Sequence, residues 1–371
     1  MRVNAEPGPS NKLRRERIEL LCLSPEHYEE AASHLASFPQ ETRGPEFWRD
    51  RFRLWWEANP AFSEGLERGW ILKANGAIVG FLGNIPSYFQ LAGERKIIYS
   101  ATTWRVSPDY RNYSLHLLFK QIEYSRKSLL FLITLNESTR KIIQMLRLQT
   151  IERGDVKVGV LMINSEKVLA TYLGKNKASH FLGKALAPIL DFLQTFRLGF
   201  SRQREEFRVK ELVRADESFD ELWKRTRERI PNTNARTAEV INWYCFESKN
   251  FRKRLFGVYQ GCSLLAYVIC TISQVQGLNF LECLDFWGET CETTTVKALF
   301  RYLKDWGQKN SIDLVKFPGF SSEVGFLFGK LCLFQIRSKR SAEYFQVNLE
   351  MSGPISQENS YFPYLIGDFG L

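Results

Sequence analysis

Histidine is scarce in this chain, and what there is does not assemble. The four histidines, His27, His34, His116 and His180, are scattered without metal-ligand spacing, so no metal site is expected. The seven cysteines leave one over and include no C-x-x-C pair. Cys22, Cys270 and Cys283 lie in apolar runs and read as buried free thiols suited to a reducing compartment. No apolar h-region opens the chain, which argues against a secretory signal. No run of about 18 apolar residues occurs, so no helix is expected to span a bilayer. These absences together point to the cytoplasm.

The composition is that of a folded protein: 371 residues, 44% hydrophobic, 14% aromatic and 25% charged. That length suits two domains of ordinary size. Only residues 1–17 look loose, with Pro7, Gly8 and Pro9 followed by Lys12, Arg14, Arg15 and Arg17, a flexible and solvated basic tail. The formal net charge of +10 fits an anionic ligand: a nucleotide cofactor, a nucleic acid or an acidic membrane.

Periodicity predicts one order of elements twice. In the first half, 18–155, IELLCL (18–23) reads as a strand. Ser24 then caps a helix, and a second helix from Pro45 turns Trp48, Phe52, Trp55 and Trp56 to one face. WILKANGAIVGFLGN (70–84) is a hairpin around Asn75-Gly76. A strand (96–106), a helix, a strand (129–136) and a helix (137–149) follow. In the second half, 207–371, strand, helix, helix, hairpin (254–273), strand, helix, strand and helix recur. Residues 333–339 and 344–350 are expected to pair as a closing hairpin. Between the halves, 156–206 reads as a helical connector, divided or kinked at Pro188. Its part 181–200 is apolar with basic flanks, so peripheral contact with an acidic membrane is a second reading beside packing between domains.

The densest signal is KIIYSATTWRVSPDYRNYSLHLLFKQI (96–122). A strand stops at Pro108 and a helix starts just after Arg111. Backbone N–H groups without intrahelical partners and the helix dipole make such a start an anion seat, to which Arg111 adds a charge.

V-S-P-D-Y-R-N-Y-S-L-H resembles the signature of the GNAT acyl-CoA N-acyltransferases, a valine-x-proline strand end followed by R/Q-x-x-G-x-G/A. Val106, Pro108, Tyr110 and Arg111 match, whereas Ser114 and His116 stand where the pattern has small residues. The resemblance implies an α/β fold of two tandem GNAT-like domains with mixed sheets, joined by the connector. It implies acetyl-CoA or another acyl-CoA as cosubstrate, held by Trp104, Val106, Arg111, Asn112, Tyr113, Ser114, Leu115, His116 and Asn136. It also implies direct attack of an amine on the thioester, with an oxyanion donor from the backbone near Trp104 and Val106. Ile143 occupies the family's tyrosine acid position, and Arg147-Leu148 its usual Gly-Phe. For the base, Glu282 and Asp285 are the carboxylate candidates, three apart and therefore expected on opposite faces of their strand.

The second half has no R-x-x-G-x-G and is expected to complete a substrate cleft without a cofactor site. Tandem pairs of this kind are similar to proteins of bacterial polysaccharide clusters, to N-myristoyltransferase and to FemABX-type aminoacyltransferases. The first similarity implies a small amine or an amino-sugar precursor as acceptor. The last implies charged tRNA, but no long charged helical hairpin is present, so nucleic acid is not expected as a partner. A non-catalytic binding protein is the third reading, carried by Ser114, His116 and Ile143.

Overall fold

The computed structural model describes residues 17–133, 136–148, 150–151, 156–173, 177–199, 207–289, 292–338, 343–346, 355, 359–364, 367 and 371. The basic tail 1–16 and parts of the connector therefore lie outside the described residues. In chain order the elements are β1 (Ile18–Cys22), α1 (Tyr28–Ala36), α2 (Pro45–Phe52), β2 (Gly69–Ala74), β3 (Ala77–Leu91) and β4 (Glu94–Val106). Next come α3 (Ser114–Tyr124), β5 (Leu130–Leu132), α4 (Glu137–Met145), β6 (Thr150–Ile151), β7 (Val156–Met162), α5 (Ser165–Tyr172) and α6 (Lys177–Leu198). The second half continues with β8 (Arg208–Leu212), α7 (Glu217–Thr226), β9 (Asn232–Asn234), α8 (Ala238–Phe246), β10 (Lys253–Gln260), β11 (Ser263–Val275) and β12 (Leu278–Gly288). It closes with α9 (Thr293–Lys309), β13 (Leu314–Pro318), α10 (Ser322–Leu331), β14 (Phe334–Ser338), β15 (Glu343–Gln346) and β16 (Ser360–Tyr361).

Two mixed sheets result. The first runs β1-β2-β3-β4-β5-β15-β6 and the second β14-β7-β13-β12-β11-β10-β8. Local signals build the hairpins: Asn75 and Gly76 adopt the positive φ angles (51° and 85°) that turn β2 into β3. Trp48, Phe52, Trp55 and Trp56 are all buried, as the helical spacing required, with Trp55 and Trp56 in a π-helical extension of α2.

The ends of the two halves differ from the sequence reading. The expected closing hairpin does not form. β14 pairs with β7 in the second sheet, and β15 pairs with β5 and β6 in the first. Residues 156–162, expected inside a helical connector, form β7, which lies between β13 and β14. The first sheet thus takes β15 from the second half, and the second sheet takes β7 from the stretch between the halves. β9 and β16 add a further tie, with β16 on β9 and β9 on β3. One apolar core cluster accordingly contains residues of both halves, from Leu23 and Trp56 to Phe317 and Tyr361. α6 runs through Pro188 as one helix. Pro188 is exposed there, where water can take the carbonyl that proline leaves without a donor.

Candidate functional site

Among the described residues, β4 and β5 pair in parallel only at Tyr99↔Leu130 and Ser100↔Phe131. Beyond Ser100 the pairing stops and the strands splay, β4 continuing to Val106 while β5 ends at Leu132. Within this splay β4 is bulged. Thr102 faces Gly83 and Arg105 faces Phe81, so Thr103 and Trp104 share the single partner Leu82. Thr103 takes φ +54° to do so. A bulge leaves one peptide out of the ladder, and here it sits at the open mouth of the splay.

A groove of about 810 Å³ opens at this point, between the end of β4, the start of α3 and the start of α4. Trp104, Val106, Arg111, Ser114, Leu115 and Asn136 line it, so six of the sequence candidates converge. Asn112 is exposed to solvent. Tyr113 stacks on His116 with ring centroids 5.9 Å apart, and His116 Nδ1 lies 3.1 Å from the Tyr113 carbonyl. Asn112, Tyr113 and His116 do not line the groove.

The start of α3 differs in detail from a bare helix end. Pro108–Tyr113 forms a 3₁₀ helix, and the Ser114 N–H donates to the Arg111 carbonyl. The Asn136 side-chain oxygen caps α4, accepting from the Thr139 N–H at 2.9 Å and the Thr139 hydroxyl at 3.0 Å. Ile143 is fully buried in the core beneath α4 and offers no proton. α4 ends in a Schellman motif: the Leu148 N–H reaches the Ile143 carbonyl and the Arg147 N–H the Gln144 carbonyl. Arg147 takes φ +53° there. That backbone requirement is the physical reason a glycine suits this position.

A second chamber of about 370 Å³ adjoins the groove and shares Trp104, Arg105, Asn136 and Thr139 with it. Arg43 and Arg51, from the α1–α2 connection and from α2, face it beside Arg105. Among the described residues, no Asp or Glu lines either space. One carboxylate stands behind them. Glu41 pairs with Arg43 at 2.5 Å and with Arg105 at 2.9 Å. The Arg43 hydrogen bond, against the opposing cost of burial, holds the Glu41 carboxyl down at about 2. Arg51 is buried with its guanidinium 4.9 Å from the Trp55 ring centroid. Sequence reasoning missed Arg43, Arg51 and Arg105. The signal for the first two was the run ETRGPEFWRDRFRLWW (41–56), in which arginines alternate with a packing face.

At the inner end of the splay, Gly367 (φ +70°) approaches Ser100 and Ile133 so closely that a β-carbon there would overlap the Ile133 side chain. A larger residue at 367 would have to displace the Ile133 side chain and would be strained at that φ.

The matching place in the second half is filled. β12 and β13 are parallel over Phe280–Glu282, and β12 is bulged at Leu284. The Tyr361 hydroxyl donates to the Phe286 carbonyl, and the Tyr364 N–H to the Leu284 carbonyl at 2.9 Å. Phe300, Phe317 and Phe328 stack behind. The bulge also corrects the expected geometry of the base candidates. Glu282 faces Thr271 and Asp285 faces Ile269, so the extra residue puts both carboxylates on one face of the sheet. Neither lines the cleft of the first half. Asp285, fully buried, accepts from Arg236 Nε at 3.2 Å and from the Tyr267 hydroxyl at 3.0 Å. Arg236 lies 4.0 Å from the Trp287 ring centroid. Among the described residues, no group of three or more His, Cys, Asp or Glu could hold a metal ion, and no helix is long and apolar enough to cross a membrane.

No protein-family model and no curated protein matches the sequence. Solved structures do match the fold. A GCN5-related N-acetyltransferase from Anabaena variabilis aligns over 89% of this chain and 72% of its own, at 12% identity and a TM-score of 0.55. A GCN5-related N-acetyltransferase from Kribbella flavida aligns over 89% and 70%, at 11% and 0.54. Saccharomyces cerevisiae N-myristoyltransferase, solved with bound myristoyl-CoA, aligns over 93% and 89%, at 13% and 0.51. A splayed and bulged β4, two mixed sheets and this likeness over most of the chain together place it in the fold shared by the GCN5-related N-acetyltransferases and N-myristoyltransferase.

Proposed function

We propose that the chain is an N-acyltransferase, in which an acyl-CoA lies in the groove beside Arg111 and a primary amine on a small molecule enters the adjoining chamber. The observation that carries this is the splay of β4 from β5, opening onto spaces lined by four arginines and no acid. Such a lining attracts a polyanionic cosubstrate. A solved neighbour contains myristoyl-CoA. In this chain the chamber of about 370 Å³ must receive both the acyl group and the amine, which favours a short acyl group such as acetyl.

The amine must be neutral to attack, and its ordinary pKa is about 10.4. Arg43, Arg51 and Arg105 disfavour a further positive charge, so a bound amine loses its proton more readily there. This assigns electrostatics the task that Glu282 and Asp285 were expected to perform. The peptide freed by the bulge at Thr103–Trp104 is the donor to the developing oxyanion. Nitrogen attacks the thioester carbon, the C–S bond breaks, and the proton that nitrogen sheds passes through water to the departing thiolate.

A non-catalytic reading is favoured by one observation: the Ser114 N–H is already spent on the Arg111 carbonyl. One experiment separates the two. Acetyl-CoA should raise the Tm of the wild type by several degrees at saturating concentration, and Arg111→Ala should remove that shift without lowering the unliganded Tm. Release of free CoA on adding amines then distinguishes catalysis from binding. No shift with any acyl-CoA ends the acyltransferase reading, and a salt-sensitive shift with tRNA instead replaces it with aminoacyl transfer.

A further inference from the structure

Helix α6 is built inside out. Three of its polar side chains bond to the protein. Gln194, only 1% exposed, donates to the Met162 carbonyl at 2.6 Å and accepts from the Met162 N–H at 2.9 Å. Asp191 accepts the Ser165 hydroxyl at 2.6 Å, and Arg197 donates to the Cys332 carbonyl at 2.5 Å. Its large apolar side chains face solvent. Phe181 is 76% exposed, Ile189 54%, Phe192 58% and Phe196 64%, with Leu182 and Leu193 beside them. These positions recur on successive turns and form one stripe.

The inward hydrogen bonds fix the rotation of the helix, so the apolar face is held outward. It also continues past the helix. Tyr172 and Leu173 are exposed at the end of α5, which packs on α6. On the edge strand β14, Phe334 and Ile336 are exposed opposite Val160 and Val158, on the side of the sheet where Leu190 of α6 packs against the cluster that contains Val160. A contiguous apolar surface of this kind marks a partner.

Charge selects which partner. From Ser165 to Leu198 the sequence carries five basic residues (Lys167, Lys175, Lys177, Lys184 and Arg197) against two acids (Glu166 and Asp191). Lys167 pairs with Asp313 at 2.6 Å and Lys184 with Glu166 at 3.8 Å, so the excess rests on the sequence around them and on the net charge of the whole chain. A second copy would bring the same excess, on a chain of net +10, against itself. An anionic surface complements it. No described helix is long and apolar enough to cross a bilayer, so the helix would lie in the interface. We propose that the outward face of α5 and α6 is a membrane-docking surface, with its phenylalanines at the headgroup–acyl boundary of an anionic bilayer and its lysines against the headgroups. This goes beyond acyl transfer and does not depend on it.

The test is co-sedimentation of the full chain with vesicles of phosphatidylcholine alone and of an equimolar mixture with phosphatidylserine. The expected result is binding to the mixed vesicles that weakens with salt. It should fall at least roughly tenfold in Phe192→Glu with Phe196→Glu, and several-fold in Lys177→Glu with Lys184→Glu. Phe192 and Phe196 are more than half exposed, so the variants should keep the wild-type Tm. Phe181→Glu with Ile189→Glu tests the same stripe a second time. Absence of wild-type binding to mixed vesicles overturns the proposal, as does binding that both double-phenylalanine-face variants leave unchanged. A wild-type dimer that these substitutions dissociate, with no vesicle binding, overturns it in favour of a second copy.

Discussion

Replacing Asp285 by asparagine separates structure from catalysis. Asp285 and Arg236 are both fully buried, and their contacts are all internal: the Tyr267 hydroxyl on Asp285, and Thr233, the Asn234 carbonyl and Trp287 around Arg236. Asparagine keeps an acceptor for Tyr267 but leaves the guanidinium without a counter-charge. Removing one partner of a buried pair costs about 3–5 kcal/mol, and retained hydrogen bonding places this variant near the lower end. The expected fall in Tm is of the order of 10 °C by calorimetry. The double variant Arg236→Met, Asp285→Leu removes both charges and should recover most of that loss, because neither ion remains desolvated. Below its Tm, Asp285→Asn should retain the acetyl-CoA-induced Tm shift and the turnover per folded molecule. The reasoning fails if turnover disappears while the Tm stays at the wild-type value, which would return Asp285 to the chemistry. It fails equally if the double variant is no more stable than the single one.

Two further outcomes concern His34 and Arg147. His34 is held neutral down to about 4 instead of its usual 6.5, first by burial and then by the Arg105 guanidinium, with Glu30 opposing. Between those values the unfolded chain binds the proton and the folded chain does not. Stability is therefore full above about 6.5 and declines as pH falls towards 4, by up to about 3 kcal/mol. Urea unfolding across that range should show the decline in the wild type and a flatter profile in His34→Gln; identical slopes refute it. Arg147→Gly relieves a side chain at φ +53° and should raise stability by roughly 0.5–1 kcal/mol in the same assay, whereas a loss would show that the arginine side chain contributes more than the strain costs.

What was legible in the sequence was local. Asn75-Gly76 announced a hairpin because a two-residue turn needs positive φ. V-S-P-D-Y-R located the groove because proline ends a strand and an arginine follows at a helix start, and Arg111 and Ser114 stand on its wall. The cationic chamber was harder to see. Arg43 and Arg51 reach it from the α1–α2 region, some fifty residues before Trp104 and Arg105, and only the sheet brings them together.

The two larger misreadings have one origin, the assumption that a strand's neighbours can be counted along the chain. Period-two counting put Glu282 and Asp285 on opposite faces, and one extra residue at Leu284 reversed that. Adjacency paired 333–339 with 344–350, yet β14 chose β7 and β15 chose β5 and β6. Nothing in VKVGVLM (156–162) specifies which sheet it joins, since an apolar run fits the interior of either. The choice is made by what each sheet still lacks. β5 and β13 each present an open edge after their parallel partners; β15 from the second half closes the one and β7, from the stretch between the halves, the other. Separating the halves would uncover both edges at once. The cleft beside β5 therefore depends on the second half for its closure, although none of the residues lining it comes from there.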